Sequence, residues 1–338
     1  MNLKAKLAET RKEQALDTFR TDVDRLTKEL SKVIIGQHDV IRQILVALFV
    51  GGHCIVKGVP GLAKTLLIKT LAQALDLKFN RIQFTPDLMP SDIIGTEVIE
   101  EDRTTGKRVV RFIPGPIFAN VILADEINRT PPKTQAALLE AMQEYQVTVN
   151  GVRYALEQPL FVLATQNPIE QEGTYSLPEA QLDRFLFNVV IEYPSYNEEQ
   201  DILAATTSRT APTVEPVIDG EKLLVIHEVV RDVPAPSNIV EYITRLIRAT
   251  RPGTPDALAY TNEWIRWGAG PRAGQALILG GKAMALLDGR LAVSFDDIKA
   301  IAHPVMRHRL IPNFHAEAEG ITSDIAIDNI MKMIPQSK

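Results

Sequence analysis

The run Gly58-Val59-Pro60-Gly61-Leu62-Ala63-Lys64-Thr65 decides how this chain is read. An apolar, strand-forming segment (53–57) precedes it, and a helix-forming segment (66–75) follows. Strand, glycine-bearing turn, Lys-Thr and helix together form the arrangement that grips a nucleoside triphosphate. The N–H groups of the turn and of the helix N-terminus point at the phosphates, and the helix dipole favours their charge. Lys64 is placed to reach the β- and γ-phosphates, and the Thr65 hydroxyl to coordinate Mg²⁺. The common form of this loop has Gly immediately before the Lys, whereas here Ala63 stands there and a glycine comes earlier, at Gly61. Alone, the octet also fits a plain glycine turn between a buried strand and a helix. Because a methyl group must fit at position 63, the expected turn is tight but not left-handed, with no positive φ at Ala63.

The chain of 338 residues is long for one domain and comfortable for two. Its 45% hydrophobic and 23% charged content is ordinary for a soluble globular protein. No apolar run reaches the roughly 18–20 residues of a membrane span, and the Lys-, Glu- and Arg-rich start lacks a signal-peptide core. Cys54 is the sole cysteine, so no intrachain disulfide forms, and a buried structural thiol is expected. These features point to the cytoplasm. A net charge of −5 argues against broad nucleic-acid binding.

Residues 1–30 alternate charged residues with Leu, Ala and Phe at helical spacing, predicting a mostly exposed outer helix. A short turn at Ile34-Ile35-Gly36-Gln37 leads into an apolar helix over 40–50. Beyond the loop and its helix, 79–84 alternates as a second strand, and the two prolines in 85–90 mark a loop. Extended runs at 95–100 and 107–112 predict a hairpin. The unbroken apolar run 120–124 is a strand buried on both faces, and Pro131-Pro132 opens a helix over 133–144. Asn150-Gly151 joins a second hairpin within 146–156. Further strands follow at 160–164 and 185–191, so strands alternate with helices as in a largely parallel three-layer α/β sheet. After Tyr193-Pro194 the periodicity is helical: 197–207, 220–231, 237–250, 271–287, 294–308 and 315–333. Asn197-Glu198-Glu199-Gln200 resembles a capping box, and Ser294 an N-cap.

The strand at 120–124 ends in Asp125-Glu126. Adjacent acids after a wholly apolar strand have no packing role and repel each other, but the C-terminal tip of a parallel strand is where such sheets bind ligands. With a phosphate loop upstream, Asp125 can hold the hydration shell of Mg²⁺, and Glu126 can orient and deprotonate an attacking water. A third strand tip carries Thr165-Gln166-Asn167, and Asn167 can hydrogen-bond both a γ-phosphate and that water. Alone it would also read as a turn opener before Pro168.

With these residues in order, the chain resembles an AAA+ ATPase, and within that superfamily the MoxR family, whose phosphate loop also has Ala before the Lys. The residues carrying the resemblance are 58–65, Thr85-Pro86-Asp87-Leu88-Met89-Pro90-Ser91-Asp92, Ala124-Asp125-Glu126-Ile127-Asn128-Arg129, Leu177-Pro178-Glu179-Ala180-Gln181-Leu182-Asp183-Arg184-Phe185 and Gly270-Pro271-Arg272-Ala273. The resemblance implies a P-loop NTPase domain with a parallel five-stranded sheet over 31–196, preceded by an N-terminal helix (1–30) and followed by an α-helical lid (197–338). It implies ATP and Mg²⁺ as ligands, with Ile34, Ile35, Gly36 and Gln37 bordering the adenine and residues 58–66, through Leu66, around the phosphates. Asn167 matches sensor 1, and Arg184 the arginine finger facing a neighbouring subunit. Arg272 matches sensor 2, reaching from the lid to the γ-phosphate. The hairpins at 95–112 and 146–156 match inserts that act on a partner. A hexameric ring is implied, with a client protein that commonly carries a von Willebrand A domain.

The residues themselves leave alternatives. Arg184 also fits a structural pairing with Asp183, and Arg129 is a rival finger. Arg272 begins a helix, where the dipole disfavours a cation unless a phosphate is near. His303 and His308 lack metal-ligand spacing and read as lid surface; Trp264 and Trp267 read as lid core. The motor subunit of a metal chelatase is a competing reading; a nucleic-acid motor and a nucleotide-gated scaffold with little turnover fit less well.

Overall fold

A computed structural model describes residues 3–101, 108–169, 174–207 and 212–336, with side chains from residue 13 onward. In chain order, α1 (Leu3–Ser31) and α2 (His38–Phe49) precede β1 (Cys54–Lys57), α3 (Lys64–Ala74) and β2 (Phe79–Gln83). A short α4 (Pro90–Ile94) leads into the hairpin β3 (Gly95–Glu101) and β4 (Arg108–Pro114), whose tip lies outside the described residues. Then come β5 (Val121–Asp125), a 3₁₀ turn (Ile127–Arg129), α5 (Pro132–Glu144), the hairpin β6 (Gln146–Val149) and β7 (Val152–Ala155), β8 (Phe161–Gln166), α6 (Glu179–Leu182) and β9 (Phe187–Val190). The rest is nearly all helical: α7 (Tyr196–Thr206), α8 (Gly220–Asp232), α9 (Ser237–Ala249), α10 (Ala259–Trp264), α11 (Pro271–Leu287), α12 (Phe295–Met306), α13 (Phe314–Ala318) and α14 (Ser323–Met333). Two small strands, β10 (Ile265–Trp267) and β11 (Ile311–Pro312), pair antiparallel among these helices.

Five strands form the central sheet in the order β2-β5-β8-β1-β9, and every neighbouring pair is parallel. Alternate side chains point to opposite faces, and both faces are covered. Ile122, Ala124, Val162 and Ala164 pack with Leu138, Leu139 and Met142 of α5. Val121, Leu123, Leu163, Cys54 and Val56 join a larger core shared with α1 to α3 and with α8, α9, α11 and α12. This double burial explains the unbroken apolar run of β5. The Cys54 thiol is fully buried as expected, and burial pushes its pKa up. No helix among the described residues is long and apolar enough to cross a membrane.

Several local expectations need correction. As expected, α1 is exposed over most of its described residues, yet it seats Phe19, Val23, Leu26 and Leu30 in the core, and its Asp22 pairs with Lys222 of α8 at 2.6 Å. Its charged residues are numerous enough to hide an apolar stripe that needs only every third or fourth position. The segment 315–333 is two helices, broken at Gly320, whose φ is +71°. The capping box of α7 is built by Ser195 and Glu198, two residues earlier than expected, whereas Ser294 caps α12 as expected. Trp267 is 66% exposed rather than core, with Trp264 half-buried. His308 is buried rather than on the surface: its ring bonds the Phe185 carbonyl at 3.1 Å, and burial with the neighbouring Arg309 charge holds it well below the usual histidine range.

The two hairpins lean on one another. Asn150 and Gly151 take φ +49° and +84°, the two left-handed residues of a tight hairpin turn. Asn150 donates to Glu97 at 2.9 Å, and the Phe112 and Tyr154 rings stack with centroids 3.9 Å apart.

Candidate active site

At the C-terminal ends of β1, β5 and β8 lies a cavity of about 440 Å³, the place where open parallel sheets bind ligands. Pro60 through Leu66 line one side of it; Arg81, Asp125, Glu126, Thr165 and Asn167 line the rest. Three sequence motifs far apart in the chain thus converge because β5 and β1 both flank β8.

The phosphate loop corrects the expectation for Ala63, whose φ is +56° and ψ +21°, squarely left-handed. Gly61, two residues earlier, is also left-handed at φ +87°. Alternation of right- and left-handed residues turns successive N–H groups to one side and forms an anion-binding nest. That requirement outweighs the roughly 1–2 kcal/mol that a Cβ costs in the left-handed region. Lys64 folds over the loop, its Nζ donating to the carbonyls of Gly58 (2.6 Å) and Val59 (3.0 Å). Burial lowers its pKa, while Asp125 and Glu126 act the other way.

Asp125 and Glu126 are held from several sides. The Thr165 hydroxyl donates to Asp125 Oδ1 at 2.6 Å and accepts the Glu126 backbone N–H at 2.8 Å. Asp125 Oδ2 accepts Arg81 Nε at 3.0 Å and Nη2 at 2.7 Å. Glu126 Oε2 accepts Gln83 Nε2 and Arg129 Nη1, each at 2.9 Å. Glu126 is itself left-handed (φ +58°), a costly conformation for a non-glycine residue of the kind that gathers at functional sites. Asn167 is 7% exposed and accepts the Ile169 N–H at 3.1 Å.

Two hard oxygen donors in one cavity, the Thr65 hydroxyl and the Asp125 carboxylate, fit Mg²⁺, which keeps several waters and takes few protein ligands. Asp125 already holds a cationic group, which fits that donor role. Among the described residues no cluster of three His, Cys, Asp or Glu is present that would suit a transition metal.

Of the expected base-bordering residues, Ile34 is buried. Gln37, at φ +54°, donates from Nε2 to the Leu62 carbonyl at 3.4 Å and so ties that turn to the phosphate loop.

Arg184 and Arg272 stand elsewhere. They line a separate cavity of about 260 Å³ with Asp183, Arg231 and Arg309. Gly52 and His53, just before β1, and Leu186, just before β9, also border it. It therefore sits at the N-terminal end of the sheet, about 13 Å or more from the phosphate loop across the four residues of β1. Arg272 Nη1 lies 3.7 Å from Asp183 Oδ2, and Arg184 Nη1 donates to the Leu139 carbonyl at 3.4 Å. Within this one chain, the expected reach of Arg272 to the γ-phosphate is not made. Arg309 anchors the cluster: its guanidinium donates to Asp183 Oδ1 (2.7 Å), Phe185 O (2.7 Å) and Leu186 O (3.1 Å).

Sequence reasoning missed Arg81, Gln83 and Thr165 as partners of the acids. The alternation of β2 carried a signal, since Arg81 and Gln83 share one face. Its meaning required the register that sets Gln83 beside Asp125.

Residues 53–187 match the ATPase family associated with various cellular activities (AAA), and residues 258–330 match the AAA lid domain. Chaperone MoxR1 of Mycobacterium tuberculosis is 39% identical over 92% of this chain and 81% of its own length. YeaC of Bacillus subtilis is 41% identical over 92% of this chain and 93% of its own. Protein MoxR of Paracoccus denitrificans is 31% identical over 90% and 94%. A crystal structure of a Cytophaga hutchinsonii protein, 39% identical, superposes with a TM-score of 0.87 over 100% of both chains. Loop, paired acids, sheet order and these likenesses agree: the chain belongs to the MoxR family of AAA+ ATPases.

Proposed function

We propose that this chain hydrolyses ATP at sites shared between subunits of a ring, with residues 31–196 as the nucleotide-binding unit and 197–338 as its lid, and that turnover remodels a partner protein. The observation that carries this reading is the separation of the two half-sites. The cavity at one end of the sheet has phosphate loop, acids and Asn167. The cavity at the other end gathers Arg184, Arg231, Arg272 and Arg309 against the single acid Asp183. A ring that stacks one end against the other brings the arginines to the neighbour's phosphates, and a hexamer is the ring size the family resemblance implies.

In this reading the loop N–H groups and Lys64 bind the polyphosphate, and Asn167 orients the attacking water. Glu126 takes the proton of that water at its carboxylate. Thr65 and Asp125 would hold Mg²⁺, which supplies charge neutralisation to the phosphates when bound. Arg184 and Arg272 stabilise charge on the neighbour's γ-phosphate, a contribution typically worth about 10³–10⁵ in rate. The client is read as a protein: Ile99, Val109, Val110 and Val152 are exposed on the joined hairpins, an apolar surface suited to polypeptide rather than to phosphate backbone. A von Willebrand A domain client rests on family likeness.

The test is a pair of variants. Lys64→Ala is expected to lose tight ATP binding, while Glu126→Gln binds ATP and turns it over very slowly. ATP binding retained by the first, or wild-type turnover by the second, would remove the reading.

A further inference from the structure

The phosphate-loop cavity contains one cation that gripping and cleaving a phosphate do not by themselves demand. Arg81 lies on β2, beside β5, in a register that sets Gln83 against Asp125 and Arg81 against Leu123. Two residues before Gln83 and on the same face, Arg81 extends along the strand edge and places two N–H groups on one oxygen, Asp125 Oδ2. It also donates to the Gln83 side chain, which in turn holds Glu126. The other oxygen of Asp125 is taken by Thr165. Both carboxylate oxygens are therefore engaged, one of them by a full positive charge.

A charge count of the cavity gives this arrangement a consequence. Lys64, Arg81 and Arg129, the last paired with Glu126, already outnumber Asp125 and Glu126 with no metal counted. A hydrated divalent cation held by Thr65 and Asp125 would draw on the same carboxylate charge, on which Arg81 fills both acceptor positions of Oδ2 and Thr165 one of Oδ1. The two cations draw on one carboxylate. Arg81 can yield, because its side chain is 47% exposed and its remaining contacts are to side chains on the rim. We propose that Arg81 is a positioning residue that competes with Mg²⁺ for Asp125 and so sets the metal concentration at which nucleotide is held. This rests on the reading of Thr65 and Asp125 as the metal-holding pair. Arg81 acts by keeping Asp125 aimed and neutralised before the metal arrives, and its withdrawal links metal entry, through Gln83, to release of Glu126.

The experiment titrates ADP into the full-length chain at a series of Mg²⁺ concentrations and in EDTA, by calorimetry, so no turnover is involved. In Arg81→Gln the half-saturating Mg²⁺ concentration is expected to fall by about twofold to fivefold, the weight of one partly exposed ion pair. ADP affinity in EDTA should stay the same or weaken. Arg81→Lys keeps the charge with a single donor head and should fall between the two. Circular dichroism and the unfolding midpoint verify that each variant is folded. A half-saturating Mg²⁺ concentration that does not move in folded Arg81→Gln overturns the proposal. So does equal weakening of ADP with and without metal, which would make Arg81 a plain phosphate contact. A wild-type chain that binds no ADP at all would instead refute the phosphate-loop reading, and this proposal with it.

Discussion

Thr165 donates to Asp125 at 2.6 Å while its same oxygen accepts the Glu126 backbone N–H at 2.8 Å, so one hydroxyl on β8 fixes both acids at the tip of β5. Thr165→Val keeps the shape and removes both bonds. It leaves a buried carboxylate oxygen and a backbone N–H without partners, at about 1–3 kcal/mol of stability. ATP turnover is expected to fall on the order of tenfold to a hundredfold, with KM changing much less, because the loop that binds phosphate is untouched. Steady-state kinetics with urea unfolding check this; unchanged kcat would make Thr165 a packing residue.

The left-handed Ala63 predicts different outcomes for two substitutions. Ala63→Gly relieves the Cβ penalty and should leave nucleotide binding intact with stability changed by about 1 kcal/mol or less, since the gain is opposed by a more flexible unfolded chain. Ala63→Val puts a β-branched residue at φ +56°, where it is a strong outlier. It should weaken nucleotide binding by at least about tenfold. Equal binding by both variants would contradict the loop geometry.

The buried histidines set the acid limit of stability. His53 is held in its neutral form: the Val162 N–H donates to Nδ1 at 3.2 Å, Nε2 faces the Met142 carbonyl at 3.2 Å, and burial lowers its pKa to about 4. Burial likewise pushes His308 down. The unfolded chain protonates near pH 6.5 and the folded chain does not, so stability is full above about pH 7 and declines as pH falls toward 4. For His53 alone the loss between pH 7 and 5 is about 2 kcal/mol. Urea midpoints at the two pH values measure it; equal midpoints would count against a neutral buried His53.

Arg309 ties α12 to the segment carrying Arg184 through Asp183 and two backbone carbonyls. Its guanidinium is buried, so Arg309→Met strips Asp183 and Leu186 O of their closest donor, leaving Arg272 near Asp183 and His308 on Phe185 O, and should cost about 3–5 kcal/mol. The expected readout is a lowered urea midpoint together with lost ATPase activity. Wild-type stability would contradict the clamp.

Much of the site was legible in the sequence, because phosphate and metal chemistry restrict residue type at close spacing: Lys64, Thr65, Asp125, Glu126 and Asn167 meet in one cavity. Strand existence was legible for the same reason that β5 and β8 are apolar up to their C-terminal tips, namely burial on both faces. What was hidden depended on pairings between distant segments. Arg81 acquires meaning only beside Asp125, and Arg272 only from where α11 starts relative to the sheet. The conformation of Ala63 was misjudged because residue preference was weighed without the nest that the loop must form. His308 was misplaced because a polar residue looked like surface, when its ring is buried against the Phe185 carbonyl just before β9.

The central claim, a site completed across a subunit boundary, is tested most directly by mixing two inactive variants. Arg184→Ala subunits retain an intact phosphate loop, and Lys64→Ala subunits retain the arginine cluster. ATPase activity is measured across mixing ratios of the two. A shared site predicts that mixtures regain activity that neither variant has alone, peaking at intermediate ratios. Mixtures that assemble yet stay inactive at every ratio would contradict it and leave Arg184 a structural partner of Leu139.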